Sequence, residues 1–177
     1  MLEDLSAHLL DISQNSISAG ALRIMVTITD DDYFGFEISD NGKGMSEEQA
    51  ASVINPFCTS RTTRRVGMGL PFLKQASELC GGKFYLKSQL GVGTTVSASF
   101  DKSNIDTPPT GDMPASILTL LIDAPQIHWI FHYKKNDNVF EIDSKELEEA
   151  LDGLESLSSP DVALGLIEYI KNGIEEL

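Results

Sequence analysis

Cysteine is scarce: Cys58 and Cys80 are the only two in 177 residues. Two thiols cannot build a disulfide framework, and they suit a reducing compartment, so a cytoplasmic protein is expected. Positive charge is scarce as well. The chain has 13 Lys and Arg against 27 Asp and Glu, a net charge of −14. Non-specific binding to nucleic acid or to an anionic membrane needs a basic surface, so neither partner is expected. A small phosphorylated ligand stays open, because one short basic loop can hold it. No apolar run approaches the roughly 18 residues of a membrane span. Met1-Leu2-Glu3-Asp4 lacks the basic start of a signal peptide. What is present is 41% hydrophobic residues and a mean hydropathy of −0.08. That is enough for a real core in one domain, or in one domain with a small appendage.

The acidity is uneven. Residues 1–101 carry 12 acidic and 8 basic groups, and residues 102–177 carry 15 and 5. The net charges are therefore −4 and −10. Between them Ser103-Asn104-Ile105-Asp106-Thr107-Pro108-Pro109-Thr110-Gly111 is polar, proline-rich and aperiodic. It reads as a linker, which gives an N-terminal domain over 1–101, a linker over 102–111 and a small acidic C-terminal subdomain over 112–177.

In the first part, helical spacing of Leu2, Leu5, Leu9 and Ile12 predicts a helix over 3–19, stopped by Gly20. Residues 22–29 and 33–39 alternate around Asp30-Asp31-Asp32 as a hairpin. Ser46-Glu47-Glu48-Gln49 has the form of a capping box opening a helix that runs to about residue 54. Residues 55–66 lack an apolar period and read as a loop; 69–79 reads as a helix, and 83–88 and 94–100 as strands. In the second part helices are expected over 113–122, 144–151 and 161–174. A hairpin is expected over 127–133 and 139–142.

Four constellations carry chemistry. Asp11 and Asn15 stand one helical turn apart on one face, with His8 beside them. Carboxylate and amide oxygens are hard ligands that suit Mg²⁺, and a carboxylate can also orient an attacking water. Asp40-Asn41-Gly42-Lys43-Gly44-Met45 follows a strand; its glycines let backbone approach a flat or phosphorylated ligand, and Asp40 can accept from an amino group. Gly67-Met68-Gly69-Leu70 opens a helix, whose first N–H groups and positive dipole end attract an anion. Arg61, Arg64 and Arg65 lie just upstream, with no acid from 55 to 70. Gly91-Val92-Gly93-Thr94 turns into a strand. Taken singly, each has an ordinary alternative: a solvated helix edge, an Asp/Gly turn, a flexible loop, a hairpin turn. No G-x-x-x-x-G-K-[ST] loop occurs, and no G-x-G-x-x-G opens a helix after a strand, so the P-loop and Rossmann sites are excluded.

In order, the four motifs resemble the GHKL superfamily of ATP-binding domains, which includes gyrase, heat-shock chaperone ATPases, MutL-type ATPases and histidine kinases. Asp11-x-x-x-Asn15 matches the N box, and Gln14 to Ala21 is especially similar to its MutL form. Asp40-x-Gly42-x-Gly44 matches the first glycine box, Gly67-Met68-Gly69-Leu70 the second, and Gly93-Thr94 the closing motif. Phe57 and Thr59-Ser60-Arg61 are similar to the segment leading into the ATP lid. The resemblance implies an α+β fold of Bergerat type, a two-layer sandwich with helices on one face of a mixed sheet. It implies ATP and Mg²⁺ as ligands. Asn15 would ligate Mg²⁺, and Asp40 would accept from the adenine amine with Thr94 beside it. Gly42, Gly44 and Met45 would border the base. Gly67, Gly69 and Leu70 would hold the triphosphate. From charge alone, and not from the resemblance, Arg61, Arg64 or Arg65 is expected to meet the γ-phosphate when the lid closes.

Hydrolysing members usually carry Glu where this chain has Asp11, one methylene shorter. His8 lies within the N box and suits packing, or orienting Asp11, better than accepting phosphate. The segment after residue 101 is too short for the domain that in gyrase and MutL-type proteins brings a lysine to the nucleotide; Lys134 or Lys135 would have to serve. His128 and His132 read as core or edge-strand residues, and Cys58 as a buried thiol. The expected activity is slow ATP hydrolysis, or ATP-driven lid closure that regulates a protein partner. The alternatives are a serine protein kinase of the anti-sigma-factor type, using Asp11 as its acid group, and a non-catalytic nucleotide sensor or scaffold. The acidic C-terminal segment is the expected docking surface for a basic partner.

Overall fold

A computed structural model describes residues 4–55, 68–151, 153, 157 and 159–177. The first helix, α1 (Leu5–Ser18), begins where the Asp4 carboxylate accepts the Ala7 N–H at 2.8 Å. It ends at Gly20, whose φ of 74° is the left-handed conformation that favours glycine. β1 (Arg23–Asp30) and β2 (Tyr33–Asp40) form the expected hairpin, with Ile28 opposite Phe36. α2 (Glu47–Val53) carries the expected capping box: Gln49 N–H reaches Ser46 Oγ, and Ser46 N–H reaches Gln49 Oε1. α3 (Gly69–Leu79), β3 (Phe84–Gln89) and β4 (Gly93–Asp101) complete the first part. α4 (Met113–Asp123), β5 (His128–Lys135), β6 (Asn138–Asp143), α5 (Ser144–Ala150) and α6 (Pro160–Glu175) follow.

Among the described residues, six strands make one sheet in the order β3-β4-β2-β1-β5-β6. Every pairing is antiparallel except β1 with β5. The segment 112–177 therefore adds its two strands to the sheet begun by 1–101, with Ile24 beside Trp129 and Val26 beside Phe131. The registers give the sheet two unlike faces, because alternate side chains point to opposite sides. One face carries Ile24, Val26, Ile28, Phe36, Ile38, Val96, Trp129 and Phe131, all buried. The other carries Ser39, Glu37, Met25, Thr27, Thr29 and Ser97, all half-buried or exposed.

Leu5, Leu9 and Ile12 of α1 and Ile117, Leu120 and Leu121 of α4 join the apolar face in one hydrophobic cluster with Leu166 and Ile170 of α6. Each such side chain contributes roughly 1.5–3 kcal/mol by leaving water. The architecture is a mixed sheet with a helical layer on its apolar face, an α+β two-layer sandwich as expected. The Trp129 indole N–H finds the Ala124 carbonyl at 3.0 Å, which satisfies its polar atom in the core.

Candidate functional site

The end of β2 is organised around Asp40. Its Oδ1 accepts the backbone N–H of Gly42 at 2.9 Å, an Asx-turn, and that of Thr94 at 3.3 Å from β4. Its Oδ2 accepts the Ser16 hydroxyl of α1 at 2.6 Å. The next residue, Asn41, uses its side-chain oxygen to hold the N–H groups of Leu22 and Arg23, each at 2.9 Å. The Lys43 N–H reaches the Ala19 carbonyl at 3.0 Å. The loop is thereby tied to the end of α1 and the start of β1.

Its glycines are demanded by protein neighbours. A Cβ at Gly42 would lie 2.9 Å from both Ala19 Cβ and the Ala19 carbonyl oxygen. Gly44 has φ 62°, and a Cβ there would overlap the Gln89 carbonyl. Met45 N–H bonds to Ser88 Oγ at 2.8 Å, and Ser88 Oγ lies 2.8 Å from Thr94 Oγ1. Thr94 is thus fixed from two sides, by Asp40 and by Ser88. Ser16 and Ser88 were not singled out from the sequence. Ser16 directly follows Asn15 and could have been noticed there, whereas nothing in the local sequence marks Ser88.

Asn15 is exposed, one residue before Ser16, and Asp11 lies one turn back and half-buried. The Asp11 carboxylate rests against Gly69, the first residue of α3: a Cβ at that position would overlap its Oδ2. His8 is buried, and its Nδ1 has no hydrogen-bond partner. Burial pushes its imidazole pKa down, against the opposing pull of the Asp11 and Asp4 carboxylates.

A cavity of about 210 Å³ opens among these elements. Asn15, Ser16, Asp40 and Thr94 give its polar wall, and Ile12, Val53, Leu70 and Val96 its apolar wall; Lys43, Gly44 and Met45 border it. Residues from all four sequence motifs therefore meet at one end of the sheet. A larger cavity, about 620 Å³, lies between the 110–114 segment, Tyr133 and α6. It contains none of the motif residues and borders the opposite end of α1, where Leu5 and Ser6 N–H groups bond to Pro109 and Thr110 carbonyls. The smaller cavity is the candidate site, because chemistry follows the converging polar groups rather than volume.

Arg61, Arg64, Arg65 and Gly67, with Phe57, Cys58, Thr59 and Ser60, lie outside the described residues. Lys134 and Lys135 are at the wrong end. Asp40 is paired with Ile24 near the start of β1, while Lys134 lies beside Thr29 near its end. Five residues of strand are roughly 17 Å at about 3.3 Å each, beyond a lysine's reach. His128 bonds to the Asp143 carboxylate at 2.9 Å and His132 to Glu141 at 2.9 Å, so both are held at the outer sheet strands. Among the described residues no three His, Cys, Asp or Glu converge as a metal cluster, and no helix is long and apolar enough to cross a membrane.

Residues 2–104 match the family model described as histidine kinase-, DNA gyrase B- and HSP90-like ATPase. The chain belongs to this ATPase family. Among curated relatives of the family domain, the virulence sensor protein BvgS of Bordetella bronchiseptica is 29% identical over 98 residues, covering 52% of this chain and 8% of BvgS. The sensor histidine kinase YvrG of Bacillus subtilis is 30% identical over 74 residues, covering 40% of this chain and 13% of YvrG. The matches thus span only a small part of those longer proteins. The MutL ATPase domain of Aquifex aeolicus, solved in complex with ADP, superposes with a TM-score of 0.56 at 16% identity. It covers 86% of this chain and 70% of that domain. The N-terminal domain of a DNA repair protein superposes at 0.52 with 18% identity, covering 80% of this chain and 52% of that one. The fold shared with these two structures therefore extends past residue 104.

Proposed function

We propose that the chain is a cytoplasmic, Mg²⁺-dependent ATP-binding protein. Its activity is slow ATP hydrolysis, or an ATP-driven change in contact with a protein partner. The observation that carries this is the state of Asp40. A carboxylate has about four acceptor positions. Three are filled by the Gly42 N–H, the Thr94 N–H and the Ser16 hydroxyl. The three donors fix the carboxylate and leave one acceptor position for a ligand. An exocyclic amino group, as on adenine, satisfies it; a carbonyl at the same place, as on guanine, would leave two acceptors facing each other unpaired.

The remaining residues fit the same ligand. A cavity of about 210 Å³ between Ile12, Val96 and Leu70 suits a planar base better than a whole nucleotide. Asn15 stands exposed at its edge as a hard oxygen ligand. Mg²⁺ is reluctant to dehydrate and takes one or two protein ligands plus substrate phosphates, so a lone amide is a sufficient contribution. When bound, the cation would neutralise phosphate charge. Gly69 and Leu70 open α3, whose first N–H groups have no intrahelical acceptor and suit phosphate. Asp11 is the group that could orient a water.

Calorimetric titration with ATP and Mg²⁺ tests this on the full chain. The wild type should bind, and Asp40→Asn should weaken binding about ten- to a hundredfold, since a hydrogen bond to a charged group contributes roughly 1.5–3 kcal/mol. No binding by the wild type, or equal binding by the variant, overturns the assignment.

A further inference from the structure

The start of α3 is unusual as an anion site. Its N-cap residue, Met68, makes no side-chain cap, and its first turn holds no acidic residue. Its third residue is Pro71, which has no N–H, so one of the donors that a helix terminus normally offers is missing. Negative charge nevertheless reaches this terminus from another helix: the Asp11 carboxylate lies against Gly69 where a side chain would stand. Gly69 is buried, and no larger residue fits there while Asp11 stays in place.

We propose that Asp11 is an intramolecular competitor for the phosphate end of the site, seated at the start of α3 until a nucleotide phosphate displaces it. This rests on the nucleotide assignment above and adds regulation to it. The same attraction of a helix N-terminus for negative charge serves both anions, and both cannot occupy the one place. With Pro71 removing a donor, the terminus also has less to offer a second anion held beside the first. Nucleotide binding therefore includes the work of moving Asp11. Any change that draws Asp11 away from Gly69 strengthens phosphate binding without touching the base pocket.

The test is the affinity of the full chain for ADP and for adenosine, without Mg²⁺, in the wild type and in Asp11→Asn. The amide keeps the shape and removes the charge. ADP affinity should rise about three- to tenfold, the range expected for one charge at a helix terminus. Adenosine affinity should not change, because adenosine carries no phosphate. ADP affinity that is equal or lower in the variant overturns the proposal and leaves the nucleotide assignment standing. So does an equal gain for adenosine. If neither protein binds either ligand, both fall together.

The contact itself is read separately by melting. Alanine gains helix propensity over glycine in both backgrounds, so the readout is the difference: Gly69→Ala should change Tm less favourably in the wild type than in an Asp11→Ala background, where the clash is gone. An equal change in both backgrounds overturns the seating of Asp11 at Gly69.

Discussion

At the scale of single residues, the site is built from small polar groups that hold one another. Ser16 holds Asp40, and Ser88 holds both Met45 and Thr94. His8 stands apart from this economy. Its Nδ1 is buried without a partner, which costs roughly 1–3 kcal/mol of desolvation. Burial lowers its pKa despite the Asp11 and Asp4 carboxylates. A histidine whose folded pKa is depressed binds its proton less readily in the native state than in the unfolded chain. Its contribution to stability is therefore complete above the unfolded value of about 6.5 and is lost as pH falls below it. His8→Leu removes that titration. Between about pH 7.5 and 5 the wild type should lose Tm relative to the variant as pH falls, whichever of the two melts higher at about pH 7.5. Parallel curves would show that His8 is protonated as easily in the fold as outside it.

Elements were more legible than their assembly. Local signals set α1, α2 and α3: an N-cap and apolar stripe, a capping box, and a glycine-rich start. The observed bounds fall within two residues of the expected ones. Both hairpins were legible for the same reason, since period-two alternation broken by Asp or Asn clusters is a local pattern. The parallel pairing of β1 with β5 was not. It joins residues about a hundred positions apart, and nothing in either strand names its neighbour. The contact of Asp11 with Gly69 was not legible either, because it joins two helices distant in the chain and no local pattern in either one marks it. α2 shows how much a local signal can carry. None of its residues is fully buried and Val53 is half-buried against the core, so capping carries a larger share of this helix than of α1 or α3. Ser46→Ala should cost about 1 kcal/mol locally. Amide exchange should quicken across residues 47–53 while the core strands keep their protection. Unchanged exchange there would mean that contacts with β3, and not the cap, hold the helix.

At the scale of the molecule, charge and packing divide the chain differently. By charge it falls into a near-neutral part and a segment of −10. By packing, Trp129 and Phe131 from the acidic segment lie beside Ile24 and Val26, and α4 and α6 share one hydrophobic cluster with α1. An isolated acidic segment would repel itself and lack the other half of its core. An isolated 1–101 would expose the edge of β1 as unpaired backbone, together with the α1 surface that packs on α4. The two parts should therefore unfold as one cooperative unit, as most single domains of this size do. Urea unfolding of the full chain, followed by Trp129 fluorescence and by far-ultraviolet circular dichroism, should give coincident transitions. A fragment ending at Asp101 should show no cooperative transition of its own. If instead that fragment melts cooperatively and the full chain unfolds in two steps, the charge boundary at 102–111 is a true domain boundary. The pairing of β1 with β5 would then be a docking contact between two independently stable bodies.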